Sequence, residues 1–187
     1  MSAFLAGLDA RIFFAIYAAG GGALTRFAEV LSALGNGWIM LGLIPLSALP
    51  RYRRFALTLT LTLAASAGLV ALLKVAVGRT RPCALLPGVT ALCATPTDPS
   101  FPSGHACGSF TLVAFVVLAM NTGEPRRSPV TRGLMAATLV TLAIAIAWSR
   151  VYLGVHFPSD VTAGALLGAS CGALSGRRYA QPRSAPQ

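Results

Sequence analysis

The stretch FALTLTLTLAASAGLVALLKVAV, residues 55–77, is long and apolar enough to cross a lipid bilayer as a single helix. A crossing needs about 20 such residues, since each residue of an α-helix rises about 1.5 Å. In lipid every backbone N–H and C=O must be paired within the chain, which makes helix the default conformation. The stretch therefore predicts an integral membrane protein built from helices.

The composition of the whole chain supports this prediction. Of the 187 residues, 55% are hydrophobic and 11% are charged, whereas a soluble domain carries about 25% charged residues. Residues 1–22 are apolar but contain Asp9 and Arg11, so we predict an interfacial helix there rather than a sixth crossing. Four further spanning helices are predicted, at residues 26–49, 104–120, 133–149 and 157–175. The expected fold is a single all-α domain over residues 1–187, a bundle of five to six transmembrane helices.

Nine arginines indicate the orientation of this bundle. With five spans they all fall on one face, which the positive-inside rule makes cytoplasmic: Arg51, Arg53, Arg54, Arg126, Arg127, Arg132, Arg177, Arg178 and Arg183. Residues 179–187 are then expected to form a disordered cytoplasmic tail, and residues 78–103 and 149–160 to be extracytoplasmic. The net charge of +10 is explained by topology, so nucleic-acid binding is not expected.

The chemically useful residues lie in three segments on the predicted outer face. They are KVAVGRTRP (74–82), PSGH (102–105) and SRVYLGVHFPSD (149–160), which hold both histidines and the single lysine of the chain. Each has an ordinary structural explanation, such as an arginine reaching the headgroups or a serine starting a helix. Their concentration at one end of a charge-poor bundle favours a phosphate-binding site instead.

Five residues are candidate phosphate ligands. Lys74, Arg81 and Arg150 supply positive charge, and the arginines offer forks that match phosphate oxygens. Ser103 can donate its hydroxyl, and Gly104 places a backbone N–H at a helix N-terminus, where anions bind.

The histidines supply the reactive groups of this hypothesis. If a helix begins near Pro158, His156 and Asp160 lie one turn apart, and the carboxylate can hold the imidazole in one tautomer. His105 remains as a proton donor for a leaving oxygen.

Taken together, K-x6-RP, PSGH and SR-x5-H-x3-D resemble the three-part signature of the type 2 phosphatidic acid phosphatase family. The resemblance covers residues 74–160 in the right order, with no departure at a defining position. That family also contains soluble acid phosphatases and vanadium haloperoxidases, so the resemblance implies an acid phosphatase/vanadium haloperoxidase-like core.

The resemblance also implies the role of each residue. His156 would be the nucleophile and form a phosphohistidine, Asp160 would orient it, and His105 would protonate the leaving group and then activate water. The phosphoryl oxygens would be held by Lys74, Arg81, Ser103, Gly104 and Arg150. No metal or other cofactor is expected, because three cations in one site oppose a bound metal ion.

A pair of cysteines and a pattern of glycines give two further expectations. Cys83 and Cys93 share the outer segment 78–103, where an oxidising compartment would permit a disulfide; a bridge and two free thiols are both open alternatives. Gly164, Gly168 and Gly172 recur every four residues, a pattern that lets another helix approach closely.

The expected function is that of a membrane lipid phosphatase at the outer leaflet of a bacterial inner membrane. Undecaprenyl diphosphate, recycled for cell-wall synthesis, is the first candidate substrate. Phosphatidylglycerophosphate, phosphatidate and lipid A 1-phosphate are alternatives, as is a lipid phosphotransferase, because the motifs recognise phosphate rather than the tail. A channel or scaffold would instead show no dependence on His156. The oligomeric state is not predicted.

Overall fold

The computed structural model describes residues 3–17, 22–120 and 128–181, and these ranges form eight helices joined by loops. They are α1 (Ala3–Tyr17), α2 (Gly22–Leu34), α3 (Trp38–Ala48), α4 (Pro50–Val77), α5 (Pro82–Leu85), α6 (Gly104–Ala119), α7 (Pro129–Tyr152) and α8 (Pro158–Ala180). The expected all-α fold is confirmed.

Proline and glycine define the ends of the long helices. α4, α7 and α8 each begin with a proline, at Pro50, Pro129 and Pro158, a residue suited to the first helical turn. α4 ends before Gly78, whose φ of 60° provides the left-handed cap that glycine adopts most easily. The helices predicted at 55–77, 104–120, 133–149 and 157–175 are confirmed as α4, α6, α7 and α8.

The single helix predicted over residues 26–49 is wrong. The chain breaks between α2 and α3 at the sequence Gly35-Asn36-Gly37. Glycine in a helix interior costs about 1 kcal/mol relative to alanine, and two glycines within three residues make the helix easy to interrupt. The break also serves packing, because a Cβ atom on Gly35 would lie 2.4 Å from Cγ2 of Ile146.

Helix α6 lies inside the bundle, where it packs against α4, α7 and most extensively α8. Cβ atoms built on Gly164, Gly168 and Gly172 would lie 2.4, 2.1 and 2.2 Å from backbone oxygens of α6 and its N-cap. The two backbones therefore touch, which confirms that the glycine pattern is a close helix contact. Gly176 extends the same face by one more turn.

Helices α4 and α8 run antiparallel and separate two chemically different ends. At one end Arg54 Nη2 donates to the carbonyl of Tyr179 at 3.0 Å; at the other Arg79 Nη1 lies 2.6 Å from Asp160 Oδ1. The arginine groups at the start of α4 and the end of α8 are thus opposite the three signature segments. Arg126, Arg127 and Arg183 lie outside the described residues.

The disordered tail expected over residues 179–187 stays a prediction, although Tyr179 and Ala180 are helical. Tyr179 belongs to α8 and packs against the rings of Phe55 and Phe115, with centroids 6.0 and 5.5 Å away. These aromatic contacts hold the end of α8 in place, and the described chain continues to Gln181. Residues 182–187 lie outside the described part of the chain.

Apolar side chains cover the outside of the long helices. In the described ranges, the segment Pro50–Leu85 and helix α7 are long and apolar enough to span a membrane, and α6 is a shorter apolar helix. Val75, Leu72 and Leu61 on α4 are 84, 70 and 69% exposed. Such a continuous apolar surface is suited to lipid. The interfacial position of α1 stays a prediction, and residues 1, 2 and 18–21 lie outside the described ranges.

Candidate active site

Backbone hydrogen bonds join the three signature segments at one end of the bundle. Ser100 N donates to Arg79 O at 2.7 Å, and Ser103 N donates to Asp160 O at 3.0 Å. These bonds tie the loop before α6 to the end of α4 and to the start of α8. The convergence that the sequence predicts is present in the structure.

His156 is buried, with 2% of its surface exposed, in the turn between α7 and α8. Its Nε2 lies 3.2 Å from Arg81 Nη1, and its Nδ1 lies 3.3 Å from Ser100 Oγ. Because a guanidinium can only donate, Nε2 accepts and the ring proton is assigned to Nδ1. The lone pair of Nε2 therefore points toward Arg81, on the cationic side of the site.

Asp160 is fully buried in the first turn of α8, which begins at Pro158 as expected. Its Oδ1 binds Arg79, while Oδ2 accepts from Phe157 N at 2.9 Å and from Ser100 Oγ at 2.5 Å. Oδ2 is 3.7 Å from His156 Nδ1, beyond hydrogen-bond range. The two residues expected to pair are thus within ion-pair distance, and the Ser100 hydroxyl bridges them by shorter contacts.

Lys74 and Arg81 share one carboxylate that the sequence analysis missed. Asp98 Oδ2 lies 2.9 Å from Lys74 Nζ, and Oδ1 lies 2.8 Å from Arg81 Nη2. Burial alone would raise the pKa of Asp98, but its bonds to Lys74 and Arg81 outweigh burial and lower the pKa to about 2. Asp98 is therefore ionised at working pH. Its place in the outer loop, four residues before the start of PSGH, was the available signal.

Arg150 and His105 meet at the end of α2. Arg150 is 5% exposed and donates from Nη1 to Ser32 Oγ, while its buried Nε has no hydrogen-bond partner in the described ranges. That Nε–H is a donor available to a phosphate oxygen. A Cβ on Gly35, three residues after Ser32, would lie 3.2 Å from Cδ2 of His105. Neither contact of α2 was foreseen from the sequence.

Ser103 and Gly104 form the start of α6, as expected. The Ser103 side chain is the N-cap and accepts weakly from Ala106 N at 3.5 Å, so its hydroxyl hydrogen can still be donated. Gly104 is the exposed first residue of the helix, where backbone N–H groups favour anions.

Helix α1 takes part in the site through Asp9. Arg79 bridges two carboxylates, with Nη2 2.7 Å from Asp9 Oδ2 and Nη1 bound to Asp160. Ser159 N also donates to Asp9 Oδ1 at 2.9 Å, and the Arg79 guanidinium lies 4.2 Å from the centre of the Phe157 ring. The acidic residue in the apolar N-terminal stretch is therefore paired, and Arg79, between Lys74 and Arg81 in the motif, is the partner that sequence reasoning overlooked.

An apolar cavity of about 480 Å³ lies beside His105, within the bundle. The break between α2 and α3 and helices α4, α6 and α7 enclose it, with side chains that include Leu34, Leu63, Val70, Leu112, Leu142 and Ile146. The volume falls in the range of about 300–1,000 Å³ typical of ligand cavities. A hydrocarbon chain would fit this lining.

The cysteines of the outer segment and the residue types that could ligate a metal ion were also checked against the sequence expectations by their positions in the structure. Cys83 and Cys93 are free thiols that pack in different apolar clusters, so the disulfide is not formed in the structure. Within residues 3–17, 22–120 and 128–181, no three His, Cys, Asp or Glu side chains group as metal ligands.

The titration of His156 is a testable property of the site. Burial, and then the charges of Arg81 and Arg150, lower its pKa from 6.5 to about 4 against the opposing effect of Asp160. The imidazole is then neutral across about pH 5–8. Between these two pKa values the unfolded chain binds a proton that the folded protein does not, so His156 contributes instability as the pH falls.

In a His105→Asn variant His156 is the single histidine, and its ring nitrogens can be followed by NMR. We expect a midpoint near 4 in the ligand-free protein, and a higher midpoint with inorganic phosphate, whose negative charge stabilises the imidazolium. A midpoint near 6.5 without phosphate would contradict the burial argument.

The fold and the site define a class: a helical membrane bundle with a buried histidine beside arginine and lysine side chains at one end. Residues 55–182 match the family described as the PAP2 superfamily, and the chain belongs to that family. The resemblance to the type 2 phosphatidic acid phosphatases is thereby confirmed. The chain is a membrane phosphatase that hydrolyses phosphate monoesters or diphosphates.

The chain is similar in sequence to proteins named as phosphatases and in structure to a solved phosphatase. The chain is 36% identical to the decaprenylphosphoryl-5-phosphoribose phosphatase of Mycobacterium tuberculosis over 83% of this chain and 84% of that protein. It is 32% identical to the undecaprenyl-diphosphatase of Sulfolobus acidocaldarius over 78% of this chain and 66% of that one. The crystal structure of a PAP2-type phosphatidylglycerolphosphate phosphatase from Bacillus subtilis matches with a TM-score of 0.79 at 25% identity, covering 93% of this chain and 85% of that one.

Proposed function

We propose that the protein removes the terminal phosphate from a polyprenyl-linked phosphate, with undecaprenyl diphosphate as the first candidate and undecaprenyl phosphate plus inorganic phosphate as the products. The observation that carries this proposal is the unprotonated, buried Nε2 of His156 facing Arg81, at the same end of the bundle as the apolar cavity beside His105.

The reaction would proceed in two displacements. Nε2 of His156 attacks the terminal phosphorus, forming a P–N bond as the bond to the leaving oxygen breaks, and His105 donates a proton to that oxygen. His105 then takes a proton from water, which attacks the phosphohistidine and releases inorganic phosphate. The lone pair of Nε2 is thereby restored.

The cations would stabilise the charge on the transferred group. Phosphoryl transfer depends mainly on positioning and on electrostatic stabilisation of the equatorial oxygens. Lys74, Arg81 and the unpaired Nε–H of Arg150 converge on this region, and Ser103 and Gly104 add donors at the start of α6. The part of the tail next to the phosphate would occupy the apolar cavity, and the rest of the tail would lie outside it.

A second candidate substrate is a polyprenylphosphoryl sugar phosphate. The relative from Mycobacterium tuberculosis, which acts as a decaprenylphosphoryl-5-phosphoribose phosphatase, favours it because the similarity extends over most of both chains. Both candidates present a terminal phosphate on a single polyprenyl chain. The position of the site opposite the arginine groups supports catalysis on the outer face of a bacterial inner membrane.

A substrate panel tests this proposal. The purified protein in lipid vesicles is assayed for phosphate release from undecaprenyl diphosphate, decaprenylphosphoryl-5-phosphoribose, phosphatidylglycerophosphate, phosphatidate and lipid A 1-phosphate, with and without chelator. We expect kcat/KM to be at least about tenfold higher for a polyprenyl substrate, a difference of about 1.4 kcal/mol, and no effect of chelator.

Preference for a diacyl phosphate would overturn the assignment of the tail, and transfer of the phosphate to a second lipid rather than to water would identify a phosphotransferase. Activity lost in chelator and restored by a divalent ion would overturn the metal-free mechanism.

A further inference from the structure

Ser100 lies between the two residues that the mechanism couples. It is fully buried in the loop before α6, with Oγ 2.5 Å from Asp160 Oδ2 and 3.3 Å from His156 Nδ1. The direct separation of His156 Nδ1 and Asp160 Oδ2 is 3.7 Å. The hydroxyl therefore occupies the position through which the carboxylate reaches the imidazole.

The direction of the two hydrogen bonds follows from the groups involved. An ionised carboxylate can only accept, so the single hydroxyl proton of Ser100 is donated to Asp160 Oδ2. The oxygen of Ser100 then has lone pairs to accept from His156 Nδ1–H. Val155 O, the alternative acceptor for the hydroxyl, is 3.5 Å away, a full ångström farther than the carboxylate.

Ser100 and Asp160 are each held in place by further hydrogen bonds. Ser100 N donates to Arg79 O at 2.7 Å, and Arg79 in turn binds Asp160 Oδ1 at 2.6 Å. Phe157 N fixes the second carboxylate oxygen at 2.9 Å. A site of this kind is preorganised, because its supporting groups are locked by their own hydrogen bonds.

We propose that Ser100 is a positioning residue that connects Asp160 to His156, and this inference rests on the proposed function. Together with the bond from Arg81 to Nε2, the hydroxyl keeps the proton on Nδ1. A bound phosphate would take Arg81 from Nε2, whose lone pair can then attack phosphorus. When the P–N bond forms, the ring becomes positively charged, and Nδ1–H donates more strongly to Ser100 while Asp160 polarises the hydroxyl. No proton leaves Nδ1, so Ser100 acts through His156 and does not touch the substrate.

Ser100→Ala is expected to lower kcat by about 10–100-fold, the effect of losing one hydrogen bond that strengthens as charge develops. KM is expected to change little, since the phosphate ligands stay in place. The matched control is Thr111→Val. Thr111 is also fully buried and donates to Cys107 O at 2.8 Å within its own helix, and its loss should leave kcat unaltered.

A second measurement determines the tautomer of the His156 imidazole and needs no substrate. In the His105→Asn background, the nitrogen NMR spectrum of His156 should show the Nδ1–H form when Ser100 is present. In Ser100→Ala the Nδ1 resonance should shift and the fraction of the Nε2–H tautomer should rise, although the bond from Arg81 to Nε2 still favours Nδ1–H. Ser100→Thr, which keeps the hydroxyl, should keep the Nδ1–H form.

An unchanged tautomer in Ser100→Ala, or an unchanged kcat, would overturn the inference. Because the spectrum needs no substrate, it can be read independently of the substrate panel. Phosphate release from p-nitrophenyl phosphate shows separately whether the protein is a phosphatase at all.

Discussion

Replacing His156 with alanine is expected to reduce phosphate release by at least about 10³-fold, as befits loss of a covalent nucleophile. The phosphate-binding cations stay in place, so the change should fall on kcat and leave KM nearly unaltered. Steady-state phosphate release from the preferred substrate gives kcat and KM. The variant is compared with wild type only if its unfolding temperature is normal.

Trapping the intermediate distinguishes His156 from His105. In a His105→Ala variant both steps lose this residue, but a p-nitrophenolate leaving group needs no proton donor in the first step. Phosphate from radiolabelled p-nitrophenyl phosphate should therefore accumulate on the protein in an acid-labile, base-stable form. The label should be absent from a His156→Ala, His105→Ala double variant. Labelling of the double variant, or wild-type turnover in His156→Ala, would place the nucleophile elsewhere.

Gly168→Val is expected to produce the largest loss of stability. A Cβ at this position would lie 2.1 Å from the carbonyl oxygen of Cys107 and 2.8 Å from its carbonyl carbon. These are backbone atoms, so no side chain can rotate away, and α8 must separate from α6. We expect a loss of about 3 kcal/mol or more, at or above the usual range for overpacking.

The same substitution should impair catalysis at a distance. Separation of the helices would strain the bond from Ser103 N to Asp160 O, which joins the start of α6 to the start of α8. Thermal unfolding in detergent and phosphate release measure the two effects. Gly133→Ala is the control, because nothing lies within 4 Å of a Cβ there and its unfolding temperature should be unchanged or slightly higher. Equal behaviour of the two variants would contradict the packing argument.

The helices that form the bundle could be predicted because their signal is local. Apolar runs of sufficient length identify α4, α6, α7 and α8, and proline sets several of their starts. The motif residues could be chosen because both histidines and the lone lysine fall in three short segments. The hydrogen bonds that join those three segments are seen only in the folded structure.

The remaining features depend on distances that no local pattern encodes. The break at Gly35-Asn36-Gly37 is an exception, because Asn-Gly is a local turn signal, but the prediction over residues 26–49 followed hydropathy alone. Asp9 is 70 residues from its partner Arg79, so its pairing arises only when α1 packs beside α8. Ser100 and Asp98 precede PSGH as ordinary loop residues, and only the fold shows that one reaches His156 and the other bridges Lys74 and Arg81.

The carboxylate of Asp98 would bear on the speed of the proposed catalytic cycle. If Lys74 and Arg81 bind phosphate as proposed, an incoming phosphate would gain them only by exchange with an anion that the chain itself carries. After hydrolysis the tethered competitor would return at high effective concentration and help to expel inorganic phosphate. Weaker retention of the product would favour rapid recycling of the enzyme.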